Sequence, residues 1–354
     1  MDRCPKDTAG GPAWIRLADE VAFPSPIAGI IVLQGGIFQG VFRALAARGE
    51  GMAAARRIIC VGHAALDRIY RIEAFPPEPT KVRALEHIEA GGGMAANAAV
   101  AIARLGGRAE LWSRTGDDAA GSSVRAGLQA ERVDVRYLQA FEGARTSTSA
   151  IIVDRGGERL IVGQRDAGMP SGTSWLPLER VREADAVLGD LRWLEALRSV
   201  FARAKQESIP TVLDADLGAR EALESILRLT DYAIFSAPAL RELVPSGTDA
   251  ERLAAVRAVG PGYAGVTLGP EGYLWRDQTE TRRIPAFPVT VTDTTGAGDA
   301  FHGALTLFLA EGRPVADCAR LASAVAAMKC TRLGSRSGLP NRAELAAFLA
   351  THGA

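Results

Sequence analysis

Cysteine and histidine are scarce in this chain, with four of each in 354 residues. Cys4, Cys60, Cys318 and Cys330 show neither the paired spacing of a zinc site nor a disulfide framework. So few histidines also argue against a histidine-rich metal centre. This usage fits a reducing, cytoplasmic setting. Net charge is absent as well. Lys and Arg number 41, and so do Asp and Glu, so no excess of one sign marks nucleic acid or an anionic membrane as a partner. Val21 to Phe42 carries no charge, yet Pro24, Pro26, Gln34, Gln39 and its glycines fit a membrane span poorly, and its flanks do not suit a signal peptide. Confidently periodic sequence starts at Arg57. Residues 1–56 are therefore expected to be a dispensable, poorly ordered leader, with Met52 as an alternative start. What remains has ordinary globular composition, 47% hydrophobic and 23% charged.

Strands and helices alternate through most of residues 57–354. Arg57-Ile-Ile-Cys-Val-Gly62 is a short apolar run, the pattern of a buried strand. Strands are also predicted at 110–114, 186–190, 210–214, 232–235, 263–267 and 272–275. Helices are predicted at 95–105, 118–130, 193–206, 219–229, 297–309, 314–329 and 342–350. Such alternation implies a mainly parallel sheet covered on both faces. Segments 67–73 and 81–89 alternate polar with apolar residues, and 146–154 with 159–164 read as a hairpin about Arg155-Gly-Gly157. These half-exposed strands do not fit the parallel sheet. They are expected to form a small β-sheet lid, from segments near 67–90 and 143–165.

The most chemical stretch is Asp293-Thr-Thr-Gly-Ala-Gly-Asp-Ala-Phe-His-Gly303. A polar turn runs into glycines and then into an apolar helix, with Phe301, Leu305, Phe308 and Leu309 at helical spacing and Gly312 as its stop. N–H groups of Gly296, Ala297 and Gly298, together with the helix N-terminus, would form an anion hole. Asp299 stands in the first turn. A carboxylate beside a bound anion needs a task, and taking a proton from an attacking hydroxyl is the obvious one. A second cluster, Gly91-Gly-Gly-Met-Ala-Ala96, matches the dinucleotide fingerprint formally, with Glu110 downstream. The strand before it carries Lys81, Arg83, Glu86 and Glu89, too exposed for the central strand of a dinucleotide fold. This cluster is better read as holding the phosphoryl acceptor.

Taken together, Val61-Gly-His-Ala-Ala-Leu-Asp67, Gly91-Gly-Gly with Asn97, Gly116-Asp-Asp118, Thr267-Leu-Gly-Pro-Glu-Gly272 and the 293–303 segment resemble the ribokinase-like, or PfkB, carbohydrate kinases from Arg57 onward. The resemblance implies a three-layer α/β sandwich with a mainly parallel central sheet and a small β-sheet lid. It implies ATP with Mg²⁺ and a small-molecule sugar as substrates, and a homodimer through the lid. Asp299 would be the general base. Asp67, Gly92, Gly93 and Asn97 would bind the sugar, and Thr267, Gly269 and Gly272 would line the nucleotide. Asp293 and Thr295 would hold a monovalent cation, such as K⁺, under the anion hole. His302 is expected to be a packed core residue, and Asp117 and Asp118 a helix start. The Asn-x-x-Glu motif of many members reads Ser236-Ala-Pro-Ala239 here, without a carboxylate.

Finer details are similar to the bacterial sulfofructose kinases, which act on O1 of 6-deoxy-6-sulfofructose and also lack that motif. The resemblance lies in Asp67-Arg-Ile-Tyr70, Asp190-Leu-Arg-Trp193, Phe235-Ser-Ala-Pro238, Cys330-Thr-Arg332 and Gly338-Leu-Pro340. Lys81 and Arg192 match positions that hold the sulfonate there, whereas Gly163 stands for an asparagine and Asn97 for a threonine. The acceptor is thus expected to be a ketose or an anionic ketose derivative. A nucleoside kinase of the same fold and a non-catalytic sugar or nucleotide sensor are the alternatives.

Overall fold

The computed structural model describes residues 54–216 and 220–352. The expected leader lies outside the described residues up to position 53. The first strand, β1 (Arg57–Val61), shows how the core is organised. Side chains alternate across a strand, so Ile58 and Cys60 enter one apolar cluster while Ile59 and Val61 enter a second on the opposite face. A strand buried on both faces has no polar side to offer, hence the unbroken apolar run.

Around β1 lie β4 (Arg108–Gly116), β5 (Leu138–Phe141), β8 (Ala186–Asp190), β9 (Thr211–Ala215), β10 (Tyr232–Ser236), β11 (Tyr263–Thr267), β12 (Tyr273–Arg276) and β13 (Thr281–Ile284). Among the described residues they form one nine-stranded sheet, ordered β13-β12-β11-β10-β9-β8-β1-β4-β5. Every pairing from β11 across to β5 is parallel, and only β12 and β13 run antiparallel, at one edge. One face carries α1 (Met94–Arg104), α2 (Ala119–Ala130), α7 (Ala297–Ala310), α8 (Val315–Lys329) and α9 (Arg342–Thr351). The other carries α3 (Leu194–Gln206), α4 (Arg220–Leu227), α5 (Ala237–Leu243) and α6 (Asp249–Val259). This is the three-layer α/β sandwich expected.

One helix contact positions the site. The alanine-rich α1 packs against α7 so closely that a Cβ on Gly303 would lie 2.5 Å from the Ala98 carbonyl oxygen. Residues four apart share a helix face, so Asp299 is presented to α1 by the same approach.

The smaller sheet is ordered β3-β2-β6-β7, from β2 (Ala65–Arg71), β3 (Glu86–Gly92), β6 (Ser147–Val153) and β7 (Arg159–Gln164). Its own core is small: Ile69, Ile151 and Val153, with Ile88, Ala90 and Leu333 against them. The strand predicted at 81–89 instead starts at Glu86 and runs on through Gly92, which leaves Lys81 on an exposed loop. Two strands and two α-helices were not anticipated: β5, β13, α5 and α6. β5 and β13 have only four residues each and little periodicity. For α6 the sequence did hold a sign, a Thr248–Glu251 capping box.

Candidate active site

In the large sheet, the carboxyl ends of the parallel strands lie side by side and carry polar groups: Asp190 closes β8, Asp214 lies in β9, Ser236 closes β10 and Thr267 closes β11. That edge is where open α/β sheets bind ligands. Asp299 stands in the first turn of α7, after Gly296 in a left-handed conformation at φ 77°. The Ala297 N–H is engaged by the Thr294 carbonyl at 3.2 Å, and the next N–H groups belong to a first turn without helical acceptors. A Cβ on Gly298 would meet nothing within 4 Å, so the space before the helix start is open.

Asp299 is held by a relay of side chains. Asn97 of α1 donates through Nδ2 to Oδ2 of Asp299 at 2.7 Å, and Arg336 donates through Nε to Oδ1 of Asn97 at 2.8 Å. Because a guanidinium only donates, it fixes which end of the amide faces Asp299. Dense surrounding protein and the nearby Asp214 carboxylate push the Asp299 pKa up to about 7, against the lowering effect of the Asn97 hydrogen bond and of His302. His302 is buried, with Nδ1 2.6 Å from the Gly298 carbonyl oxygen and 3.5 Å from Oδ2 of Asp214. Burial lowers the pKa of its imidazole, against the pull of the Asp299 carboxylate.

From the lid, Asp67 of β2 faces the glycine cluster. A Cβ on Gly92 would lie 2.2 Å from its carboxylate, and one on Gly91 would lie 2.0 Å from the Arg336 guanidinium. The triple glycine thus lets an acid and a base lie directly on the backbone. Asp67 is buried, which raises its pKa, while Ser149 and Arg336 pull it down. Asp118 caps α2 and also accepts from the N–H and hydroxyl of Thr146, tying that helix to the lid.

A basic group lies beyond Asp190. The buried Asp190 carboxylate accepts from the backbone N–H groups of His63 at 2.8 Å, Ala95 at 3.1 Å and Arg192 at 2.8 Å. Arg114 lies 4.3 Å over the Trp193 ring and donates to the Pro170 carbonyl at 2.6 Å. Burial drives the His63 pKa down to about 3, helped by the charges of Arg165, Arg192 and Arg114. Among the described residues none of these three arginines forms an ion pair with a carboxylate. Lys81 lies exposed on the loop before β3.

Thr267, Gly269 and Gly272 line the turn after β11, with Gly269 at φ 58° and Gly272 at φ 93°. Asp293 is already engaged on every oxygen. Its Oδ1 accepts from the N–H and hydroxyl of Thr295 at 2.8 and 2.7 Å, and its Oδ2 from the Gly334 N–H at 2.8 Å. The ammonium of Lys329 then lies 3.8 Å from Oδ2 and donates to the Asp293 carbonyl at 2.7 Å. Asp293 and Thr295 therefore do not fit a bound K⁺: a cation is already there.

The model of the pfkB family carbohydrate kinases matches residues 55–342. The chain belongs to this family. The kinase is 28% identical over 300 residues to the ribokinase of Bacillus subtilis, covering 83% of this chain and 99% of that one. It is 30% identical over 281 residues to a fructokinase of Klebsiella pneumoniae, covering 73% and 91%, and 27% identical over 299 residues to a nucleoside kinase of Methanothermobacter thermautotrophicus, covering 83% and 95%. Among solved structures, a protein of Agrobacterium tumefaciens described as a ribokinase superposes with a TM-score of 0.80 at 35% identity, covering 83% and 97%. The ribokinase of Arabidopsis thaliana, complexed with ribose and ATP, superposes with a TM-score of 0.72 at 25% identity, covering 83% and 98%.

Several groups in the kinase escaped sequence reasoning. Arg336, Lys329, Asp214 and Arg114 carry no local signature. Arg336 lies between two recognisable motifs, Cys330-Thr-Arg332 and Gly338-Leu-Pro340, and only its 2.8 Å bond to Asn97 shows its place.

Proposed function

We propose that this sugar or nucleoside kinase transfers the γ-phosphoryl group of ATP to a hydroxyl of a ketose, and that its acceptor carries an anionic tail, as 6-deoxy-6-sulfofructose does. The observation that carries the reading is Asp299, a carboxylate with pKa near 7 at the start of α7, held by Asn97 and Arg336. A base poised there takes the hydroxyl proton as the oxygen forms its bond to phosphorus and ADP leaves. The Gly296–Gly298 backbone and helix start stabilise charge on the moving phosphoryl group. Asp67, Gly92, Gly93 and Asn97 hold the sugar, and Thr267, Gly269 and Gly272 the nucleotide. Mg²⁺ would neutralise phosphate charge. The β2-β3-β6-β7 sheet acts as the lid that excludes water, and a second copy joins through its edge.

Support for an anionic acceptor comes from Arg114, Arg165 and Arg192, which among the described residues form no ion pair with a carboxylate and are grouped around His63. Lys81 would join them only from its exposed loop. Among the described residues no helix is long and apolar enough to cross a membrane, and a cytoplasmic location agrees with the low cysteine use.

ADP release tests the reading across ribose, fructose, fructose phosphates, sulfofructose and nucleosides. Turnover is expected with an anionic ketose. Asp299→Asn should keep nucleotide binding and lower kcat by roughly 10²–10⁴. Near-normal turnover in that variant would refute the role of Asp299. A preference for nucleosides would favour the alternative acceptor class, and ADP release independent of any acceptor would remove the sugar reading.

A further inference from the structure

Lys329 is the last residue of α8 and its side chain is 0% exposed. A buried ammonium is costly unless oxygen atoms surround it. Here the oxygens come from one residue: the Asp293 carbonyl at 2.7 Å and its carboxylate at 3.8 Å. Asp293 opens the turn that leads to Gly296. The same carboxylate holds Thr295 on one side and Gly334 on the other, and a Cβ on Gly296 would lie 2.9 Å from the Ser335 carbonyl oxygen. The 292–293 backbone is also latched to the C-terminus of α8, since the N–H groups of Thr292 and Asp293 both donate to the Cys330 carbonyl, at 2.8 and 3.2 Å. The ammonium therefore lies beneath the turn that shapes the anion hole, bound by the carbonyl and carboxylate oxygens that a loose monovalent cation would use.

We propose that Lys329 is a built-in cation: a positioning residue that holds the 293–296 turn in its anion-binding shape and makes the kinase independent of added monovalent cations. Lys329 touches no reacting atom. It acts through Asp293, which fixes Thr295 and hence the entry into α7. A tethered ammonium cannot dissociate, so the turn is held at any salt composition. The rate part of this inference rests on the kinase reading; the binding part does not.

The test measures melting temperature and kcat in KCl, NH₄Cl and choline chloride at equal ionic strength, for the wild type and for Lys329→Met, which keeps the volume and removes the charge. Both wild-type readouts are expected to be the same in all three salts. The variant is expected to melt lower in choline and to regain stability in potassium or ammonium. Its kcat should fall by about tenfold or more in choline and recover several-fold with the small cations. Chemical rescue of this kind separates a cation role from mere packing. Wild-type protein that is activated or stabilised by K⁺ over choline would overturn the proposal. A folded variant that is cation-insensitive, whether active or dead, would also overturn it. If Lys329→Met does not fold, the wild-type comparison decides alone. If no acceptor is ever turned over, the melting comparison still stands.

Discussion

At the scale of single residues, the site turns on how one carboxylate is kept available. Asp299 is surrounded by protein and lies near Asp214, both of which favour its neutral form. One hydrogen bond from Asn97 works the other way. The balance near 7 has a direct kinetic consequence. Only the deprotonated carboxylate can accept a proton, so kcat/KM should fall as pH drops through about 7. Asn97→Ala removes a bond that lowers the pKa, so the acidic limb should move to higher pH in that variant. A pH–rate profile read at saturating ATP checks this, and an unmoved limb would show that Asn97 does not tune the base. The position of Asp299 was legible from its motif alone. Its pKa was not, because Asn97, Asp214 and Asp190 come from three distant parts of the chain.

At the scale of elements, the proposed recognition of the acceptor's anionic tail is divided among strand ends. Arg114 belongs to β4, Arg165 follows β7 of the lid, and Arg192 follows β8. Asp190 holds the turn that presents Arg192 and the start of α1 through backbone N–H groups, so the carboxylate organises the cluster without neutralising any one side chain directly. A charged hydrogen bond of this kind is worth enough that Arg192→Ala should raise KM for a sulfonated or phosphorylated sugar by about 10- to 100-fold. The KM for a neutral ketose should hardly move. Arg165→Ala should show the same split, since its contribution arrives with the lid. Equal effects on charged and neutral acceptors would remove the tail-binding role. The sequence pointed to Arg192 through Asp190-Leu-Arg-Trp193, and to Lys81 through resemblance. The exposed loop at Lys81 and the convergence of Arg114 became visible only once the strands were in register.

At the scale of the whole molecule, β7 forms one of the two edges of the small sheet among the described residues. Leu160, Ile161 and Val162 of β7 are 50%, 50% and 59% exposed. An apolar edge strand with unpaired backbone groups invites a partner strand, and a second copy related by a two-fold axis satisfies it. The kinase is therefore expected to sediment as a dimer, and Val162→Glu to shift it to monomers with the lid still attached. Sedimentation of both proteins tests this. A monomeric wild type, or a variant with unchanged mass, would rule out this edge as the interface.

The sequence by itself determined the sandwich, the separate small sheet and the glycine-rich turn that leads into α7. Each depends on local rules: two-residue and helical periodicity, glycine where backbone must turn, and an acid beside a helix start. The extent of β3, the position of Lys81, and the elements β5, β13, α5 and α6 were set by tertiary pairing or by short segments with weak periodicity. Long-range electrostatics belong wholly to the tertiary structure. The family resemblance gives Asp293 a cation to hold. Which cation it meets was decided when α8 packed against α7 and brought Lys329, 36 residues away along the chain, to 2.7 Å from its carbonyl oxygen. A charge acts through space, and no local pattern records where the fold will put it.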